Sequence, residues 1–234
     1  MRLRVLTWNL MHGRSMPGSG RDLLAEFSAA LAGWPWDIAL LQEVPPWWPA
    51  ALAARIGAGV QARRILTSRN SLLPLRRAIA ERWPDVIKSN GGGANAILVR
   101  QFRIAEHRTL RLCVWPERRW LQAVRLLPDL WVGNLHATVH DDAAARRDAE
   151  RARGATLAWA AGSPLILGGD FNVRSLSLEG LTYAGGHDVD LVFARGLMPV
   201  GETLVLEREI TVGDGTQVAL SDHAPVLVEL GGSP

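Results

Sequence analysis

PLILGGDFNVRS, residues 164–175, begins as a core strand and ends in polar groups. Leu165-Ile166-Leu167 is the short apolar run of a buried strand. It stops at a glycine pair, and the first polar residues after it are Asp170 and Asn172, on either side of Phe171. Two readings stand side by side for this stretch. Asp and Asn bond their own backbone and start loops. A carboxylate and an amide at the end of a core strand are also what a chemical site needs.

The same pattern recurs along the chain. Leu3–Trp8 leads into Asn9, Ile38–Leu41 into Gln42 and Glu43, and Trp131–Leu135 into His136, while Ser221-Asp222-His223 precedes the apolar run from Ala224. A single glutamate after an apolar strand is commonly a solvated cap, and a single histidine a satisfied structural group. Five strands with such ends point to a shared site.

Strand-like runs are Leu3–Trp8, Ile38–Leu41, Ala94–Val99, Arg103–Cys113, Trp120–Leu126, Leu130–His136, Leu165–Leu167, Asp190–Phe193, Thr203–Leu206 and Ala224–Leu230. Helical patterns fall at Arg21–Leu31, Trp47–Ile56, Leu72–Trp83 after an Asn70/Ser71 start signal, and Asp142–Ala160 with Asp141 as its cap. In the third helix Leu72, Leu75, Ile79 and Trp83 recur at helical spacing and are expected to face the core, leaving Arg76, Arg77, Glu81 and Arg82 toward solvent. The mixture indicates an α/β layered protein. Of the ten tryptophans, Trp47 and Trp48 in a Pro-rich turn are expected to pack at a helix start.

The 234 residues, 48% apolar, suffice for one sizeable core, so residues 1–234 are expected to form one domain. No stretch approaches the roughly 20 apolar residues of a membrane span, and no signal segment is read at the start, so a soluble, cytoplasmic protein is expected. Cys113 is the one cysteine, which excludes an internal disulfide and a cysteine-built metal site. Net charge is +3, and 25 of the 26 basic residues are arginine, Lys88 being the exception. Arginine forks onto phosphate, although heavy joint use of Arg and Ala also follows from a GC-rich genome. From Gln61 to Lys88, Arg63, Arg64, Arg69, Arg76, Arg77, Arg82 and Lys88 outnumber Glu81 and Asp85, which suggests a basic face.

Phosphoester hydrolysis needs a polarised phosphoryl oxygen, an activated water and charge stabilisation in line with attack. Mg²⁺ or Mn²⁺ would supply part of this through oxygen ligands, and Glu43 is the best placed, helped by Asn9 and Asp222. The ordered segments LTWNL, DIALLQEV, GANAILVR, NLHATVH, GGDFNV, DVDLVF and LSDHAPVLVEL, from Leu6 to Leu230, resemble the endonuclease/exonuclease/phosphatase superfamily, the DNase I-like phosphoesterases. The resemblance implies a four-layer α/β/β/α sandwich, two mainly antiparallel β-sheets packed face to face with helices outside.

It also implies roles. Glu43 would be the primary metal ligand, Asp170 would orient or deprotonate the attacking water, and Asn172 would hold that water and the phosphate. His223 would contact the phosphate, with Asp190 on its other ring nitrogen, and His136 would protonate the leaving oxygen or merely contact phosphate. The chain departs from relatives in two places. GGGANAILVR offers Asn95 where DNase I carries a glutamate supporting its histidine, and LQEVP lacks the lysine of the LQETK found in apurinic endonucleases. Asp188 is read as a loop acid, His187 as structural, and His12, His107 and His140 as loop or surface residues.

The expected partner is a phosphate-ester substrate, with a phosphodiester of DNA or RNA first. A phosphomonoester, a lipid or another small diester is the alternative, and an inactive relative that binds nucleic acid or a protein is a reading of another class. Arg76 and Arg77 are the candidate contacts to a polynucleotide backbone, and no obligate protein partner is evident.

Overall fold

The computed structural model describes residues 2–67, 72–83, 93–115, 117–213 and 215–232. Arg69, the Asn70/Ser71 start signal, Asp85 and Lys88 lie outside them. The elements in order are β1 (Arg2–Asn9), β2 (Ser15–Met16), α1 (Leu24–Gly33), β3 (Ile38–Val44), α2 (Trp48–Ile56), β4 (Gln61–Leu66), α3 (Leu73–Arg82), β5 (Ala94–Val99), β6 (Ile104–Cys113), β7 (Arg119–Leu126) and β8 (Leu130–His136). There follow α4 (Asp142–Ala160), β9 (Leu165–Asp170), β10 (Thr182–His187), β11 (Asp190–Arg195), β12 (Leu197–Pro199), β13 (Leu204–Val205), β14 (Glu209–Thr211), β15 (Gln217–Leu220) and β16 (Val226–Gly232).

Two sheets dominate. The first runs β12-β16-β1-β3-β5-β4 with β13 also on β16, the second β10-β11-β9-β8-β7-β6, and a small third sheet joins β14, β15 and β2. Their facing surfaces share one apolar layer that includes Val5, Leu40 and Ile97 from the first sheet and Val124, Val132, Ile166 and Val192 from the second. Phe27 of α1 and Trp48 and Leu52 of α2 pack on the outer face of the first sheet against Leu6, Leu41 and Leu98. Ala145, Ala149 and Ala152 of α4 cover the second against Leu121, Leu135 and Leu167. The result is the expected α/β/β/α sandwich. Strands β3, β5, β8 and β9 are covered on both faces, which explains their continuous apolar sequences.

Each large sheet is antiparallel except for one pair. β1 and β3 are parallel, linked across α1, and β8 and β9 are parallel, linked across α4. The carboxyl ends of these two pairs reach the same end of the sandwich, where ligands of α/β sheets ordinarily bind.

The glycine pair at the tip of β9 has a packing reason. A Cβ on Gly168 would come 2.7 Å from Leu40 Cδ1 of the opposing sheet, and one on Gly169, at φ +138°, would come 2.1 Å from the Leu135 carbonyl oxygen. Only a strand without side chains there lets the sheets approach and carries Asp170 to the rim.

The sequence reading falls short at two elements. The third helix does not bury its leucines: Leu72, Leu75 and Trp83 are 73%, 57% and 56% exposed, and Ala80 is buried instead. The helix spans only Leu73–Arg82, so two of the four proposed core residues fall outside it, and its inner face is set by Leu73, Ile79 and Ala80. The sequence pattern does not mark β4, because QARRIL is a half-exposed edge strand whose two central arginines face solvent. His107 is a surface residue, as expected, though on a strand rather than a loop: it is exposed on β6 with Nε2 3.1 Å from Gln122 Nε2. Trp48, as expected, packs at a helix start: it is a core residue near Phe27, with ring centroids 5.4 Å apart.

Candidate active site

Alternation along each strand decides which side chains enter the space between the sheets. Thr7 and Asn9 of β1, Asn134 and His136 of β8, Asp170 of β9 and Asp190 of β11 continue the faces that bury Val5, Val132, Ile166 and Val192. The inter-sheet layer is therefore apolar at one end and polar at the other. Beneath the rim, buried Gln42 and Asn134 join the sheets through Gln42 Nε2 to Asn134 Oδ1, 2.8 Å. Asn134 also donates to the Leu41 and Ala96 carbonyls at 3.0 and 2.9 Å.

Register brings the ends together: His136 lies opposite Asp170 in β8–β9, and Asp190 opposite Asp170 in β9–β11. Asp170 is fully buried. Its Oδ2 accepts from Asn9 Nδ2 at 3.0 Å and its Oδ1 from the Asn172 backbone N–H at 3.0 Å. His136 Nε2 is 3.5 Å and His223 Nε2 3.9 Å from the same Oδ2. Burial raises the Asp170 pKa and Glu43 adds to it, while His223, Asn9 and Asn172 pull the other way.

His223 stands on the turn before β16, held by its N–H to Ser221 Oγ at 3.1 Å and by Trp8 Nε1 donating to its carbonyl at 3.0 Å. Its Nδ1 is 2.7 Å from Asp190 Oδ2. Burial alone would depress this histidine, but the bond and charge of Asp190, with Asp170 and Asp222 beyond, raise it to about 9. Burial pushes Asp190 up to about 7 against the pull of His223. His136 moves oppositely: burial, then Arg119, His223 and His12, hold it well below the usual imidazole range. A neutral His136 beside a cationic His223 is a division of labour between two histidines.

Glu43 occupies an irregularity in the β3–β5 pairing between Leu41 and Val44, with φ +49°. A bulge there turns its carboxylate toward the rim. Oε2 is 3.1 Å from His12 Nε2 and Oε1 is 3.9 Å from His136 Nε2. Asn172, also at positive φ, donates from Nδ2 to the Ala137 carbonyl at 3.1 Å.

The structure thus gathers Asn9, Glu43, His136, Asp170, Asn172, Asp190 and His223. Asn9 is fixed with its amide nitrogen on Asp170 and its oxygen accepting from the Met11 N–H at 2.9 Å. Asp222 is exposed, and its described hydrogen bond is to its neighbour Ser221 Oγ, 3.4 Å. Arg76 and Arg77 are on α3, where Arg77 pairs with Glu81 and lines a groove of about 1140 Å³ between α2, β4 and α3. No described contact links either arginine to the cluster. Asn95 bonds the Trp120 carbonyl and gives His136 no support; Asp170 and Glu43 face that ring instead. Asp188 pairs with Arg174 outside the cluster.

Two residues escape a reading of the sequence alone. His12 lies in a turn, as a loop residue should, but is also the partner of Glu43, and Arg119, 6% exposed, bears on His136 from the start of β7. His12 follows a strand by three residues in a turn, where no periodicity marks it.

Residues fit for a divalent cation are present. Glu43 turns both oxygens to the rim, and ligand atoms of Asp170, Asp190 and His223 lie within 4.8 Å of one another. The 2.7 Å bond between Asp190 and His223 makes that trio a hydrogen-bonded charge pair aimed at Asp170, so the Glu43 side is the better cation site.

Residues 6–223 match the sequence profile of the Endonuclease/Exonuclease/phosphatase family. The chain belongs to this family. Endonuclease/exonuclease/phosphatase proteins are typically phosphoester hydrolases and generally depend on a divalent metal. No curated protein sequence matches the chain significantly. Among solved structures, a family member from Bacteroides thetaiotaomicron superposes with TM-score 0.72 at 18% identity, covering 100% of this chain and 99% of that one. The mannosyl-6-phosphatase of the same organism gives 0.70 at 18% identity, covering 98% and 99%. Truncated TDP2 from Caenorhabditis elegans gives 0.69 at 16%, covering 98% of each. At these identities the likeness is one of fold. Among the described residues, no helix is long and apolar enough to cross a membrane.

Proposed function

We propose that this family member hydrolyses a phosphodiester by in-line attack of a water that Asp170 orients and deprotonates. The observation that carries the reading is the setting of Asp170: fully buried, fixed by Asn9 and Asn172, and flanked by two imidazoles of opposite tendency. A carboxylate so placed has its base strength raised by burial and its lone pairs fixed in direction. A divalent cation held at Glu43 would polarise a phosphoryl oxygen and offset the charge developing on it. His223, cationic through Asp190, presents Nε2 to the phosphate from the opposite side. His136 is neutral in the free site, so it holds the leaving oxygen through its N–H and gains a proton only under the negative charge of bound phosphate.

The test is a screen of bis-p-nitrophenyl phosphate, plasmid DNA, RNA, p-nitrophenyl phosphate and inositol phosphates with Mg²⁺ or Mn²⁺. Hydrolysis should vanish in EDTA and return with either ion, and Asp170→Asn and Glu43→Gln should both abolish it. Turnover that persists in excess chelator would end the metal reading, and absence of turnover on all five would end the hydrolase reading. The phosphomonoester alternative is favoured by the separation of Arg76 and Arg77 from the cluster and by the mannosyl-6-phosphatase among the fold neighbours. It would be selected if only monoesters turn over. For a polynucleotide, Arg76→Ala/Arg77→Ala should reduce the slope of log affinity against log salt by about 0.7–0.9 for each phosphate that an arginine no longer neutralises.

A further inference from the structure

We propose that His12 is a nitrogen ligand in the cation site built on Glu43, and that this makes the site favour Mn²⁺ over Mg²⁺. The proposal rests on the reading of Glu43 as the metal carboxylate. His12 Nε2 and Glu43 Oε2 are 3.1 Å apart. Two donors in adjacent positions on an octahedral ion, each at about 2.1 Å, are themselves about 3 Å apart. The pair is therefore spaced to take one ion between them without moving either backbone.

Both backbones are held. Met11, His12 and Gly13 follow one another at φ +44°, +56° and +76°, and Glu43 stands at +49°. Residues with side chains adopt this region at a cost, and runs of it occur where surrounding structure enforces them. Here the enforcement is visible: a Cβ at Gly13 would lie 2.4 Å from Trp48 Cη2, so the turn is pressed onto a buried indole. It is tied further by Gly13 N to Leu10 O at 2.7 Å, Leu10 N to Gln42 O at 2.9 Å and Met11 N to Asn9 Oδ1 at 2.9 Å. The result brings an imidazole, 19% exposed at its side chain, against the carboxylate that β3 delivers.

Mg²⁺ takes oxygen donors and keeps its waters; Mn²⁺ also prefers oxygen and binds nitrogen most weakly of the first-row series, but as a transition ion it exchanges a water for an imidazole more readily than Mg²⁺ does. An imidazole at this distance is a weak asset to a magnesium site and a direct one to a manganese site.

The experiment is titration of the chelator-stripped full chain with Mn²⁺ and, separately, Mg²⁺ by calorimetry. It is paired with electron spin-echo measurement of ¹⁴N coupling to bound Mn²⁺. Wild type should bind Mn²⁺ more tightly than Mg²⁺ and show nitrogen coupling that His12→Ala reduces. His12→Ala should weaken Mn²⁺ at least ~10-fold while changing Mg²⁺ little. His12→Gln, which restores a hydrogen bond to Glu43 but no imidazole, should behave like His12→Ala; circular dichroism confirms that both fold. Unchanged Mn²⁺ affinity in His12→Ala, with binding lost in Glu43→Gln, would overturn this proposal and leave the Glu43 site standing. Full recovery in His12→Gln would overturn it too, by reducing His12 to a hydrogen-bond donor. Unchanged Mn²⁺ binding in Glu43→Gln would remove the Glu43 site itself, and this proposal with it.

Discussion

Asp170→Asn keeps the shape of the side chain and one of its two accepted hydrogen bonds, from Asn9 Nδ2 or from the Asn172 N–H; it removes the base, and with it the desolvation cost of a buried charge, which offsets the lost bond. We expect kcat to fall at least ~10²-fold, with a melting temperature close to wild type; steady-state kinetics and calorimetry measure both. Buried Asp190 and its half-buried partner His223 set the pH range. Asp190 must be charged to hold the imidazolium, and it ionises at about 7; His223 surrenders its proton at about 9. Activity should therefore rise through about pH 7 and fall through about pH 9. In stability terms, a histidine raised from about 6.5 contributes fully below that value and loses its contribution as pH climbs through about 9. Asp190→Asn should lower the His223 midpoint seen by NMR and shift the alkaline limb downward; an unmoved limb would mean another group controls it. At this scale the sequence is readable where a polar residue ends an apolar strand, as at Asn9, His136 and Asp170. It is silent on His12, whose place depends on a turn pressed against Trp48, a residue beyond the next helix and strand.

The tip of β9 and the start of α4 give a contrasting pair of substitutions. Gly169→Ala would force a methyl into the Leu135 carbonyl and into a backbone region that alanine resists, so a loss of at least ~2 kcal/mol is expected. Asp141→Ala removes one cap, the acceptor of the Ala144 N–H at 2.9 Å, and should cost only ~1 kcal/mol. Urea unfolding measures both, and a smaller cost at Gly169 than at Asp141 would contradict the packing argument. Elements buried on both faces are legible because each position must be apolar: Ala94–Val99 and Leu130–His136 run as their sequences indicate. Edge elements are not. Gln61–Leu66 reads as a basic segment because one side of it never needs covering, and α3 carries a leucine, Leu75, that its packing leaves in water.

The amide bridge beneath the site belongs to the whole molecule, since Gln42 and Asn134 sit in different sheets. Asn134→Leu would take from Gln42 Nε2 the shortest of its three hydrogen bonds, leaving Thr7 Oγ1 and the Leu40 carbonyl, and would take from the buried Leu41 and Ala96 carbonyls the amide that donates to them, so about 2 kcal/mol of stability should be lost. Denaturant melts would show it, and a neutral substitution would mean the sheets are aligned by apolar packing alone. Strand order has a further consequence. β1 is hydrogen-bonded on one side to β3 and on the other to β16, so residues 2–9 wait for residues 226–232 to be made. On the ribosome the first strand would emerge with a bare apolar edge, and it stays bare until β16 has been translated. Such an edge is a template for wrong pairing. A chain stopped after Arg195 should aggregate when expressed, while the same truncation supplied with a peptide covering residues 196–232 should recover soluble protein. Late closure also delays His223, so the nascent chain carries Asp170 and Glu43 before it can use them.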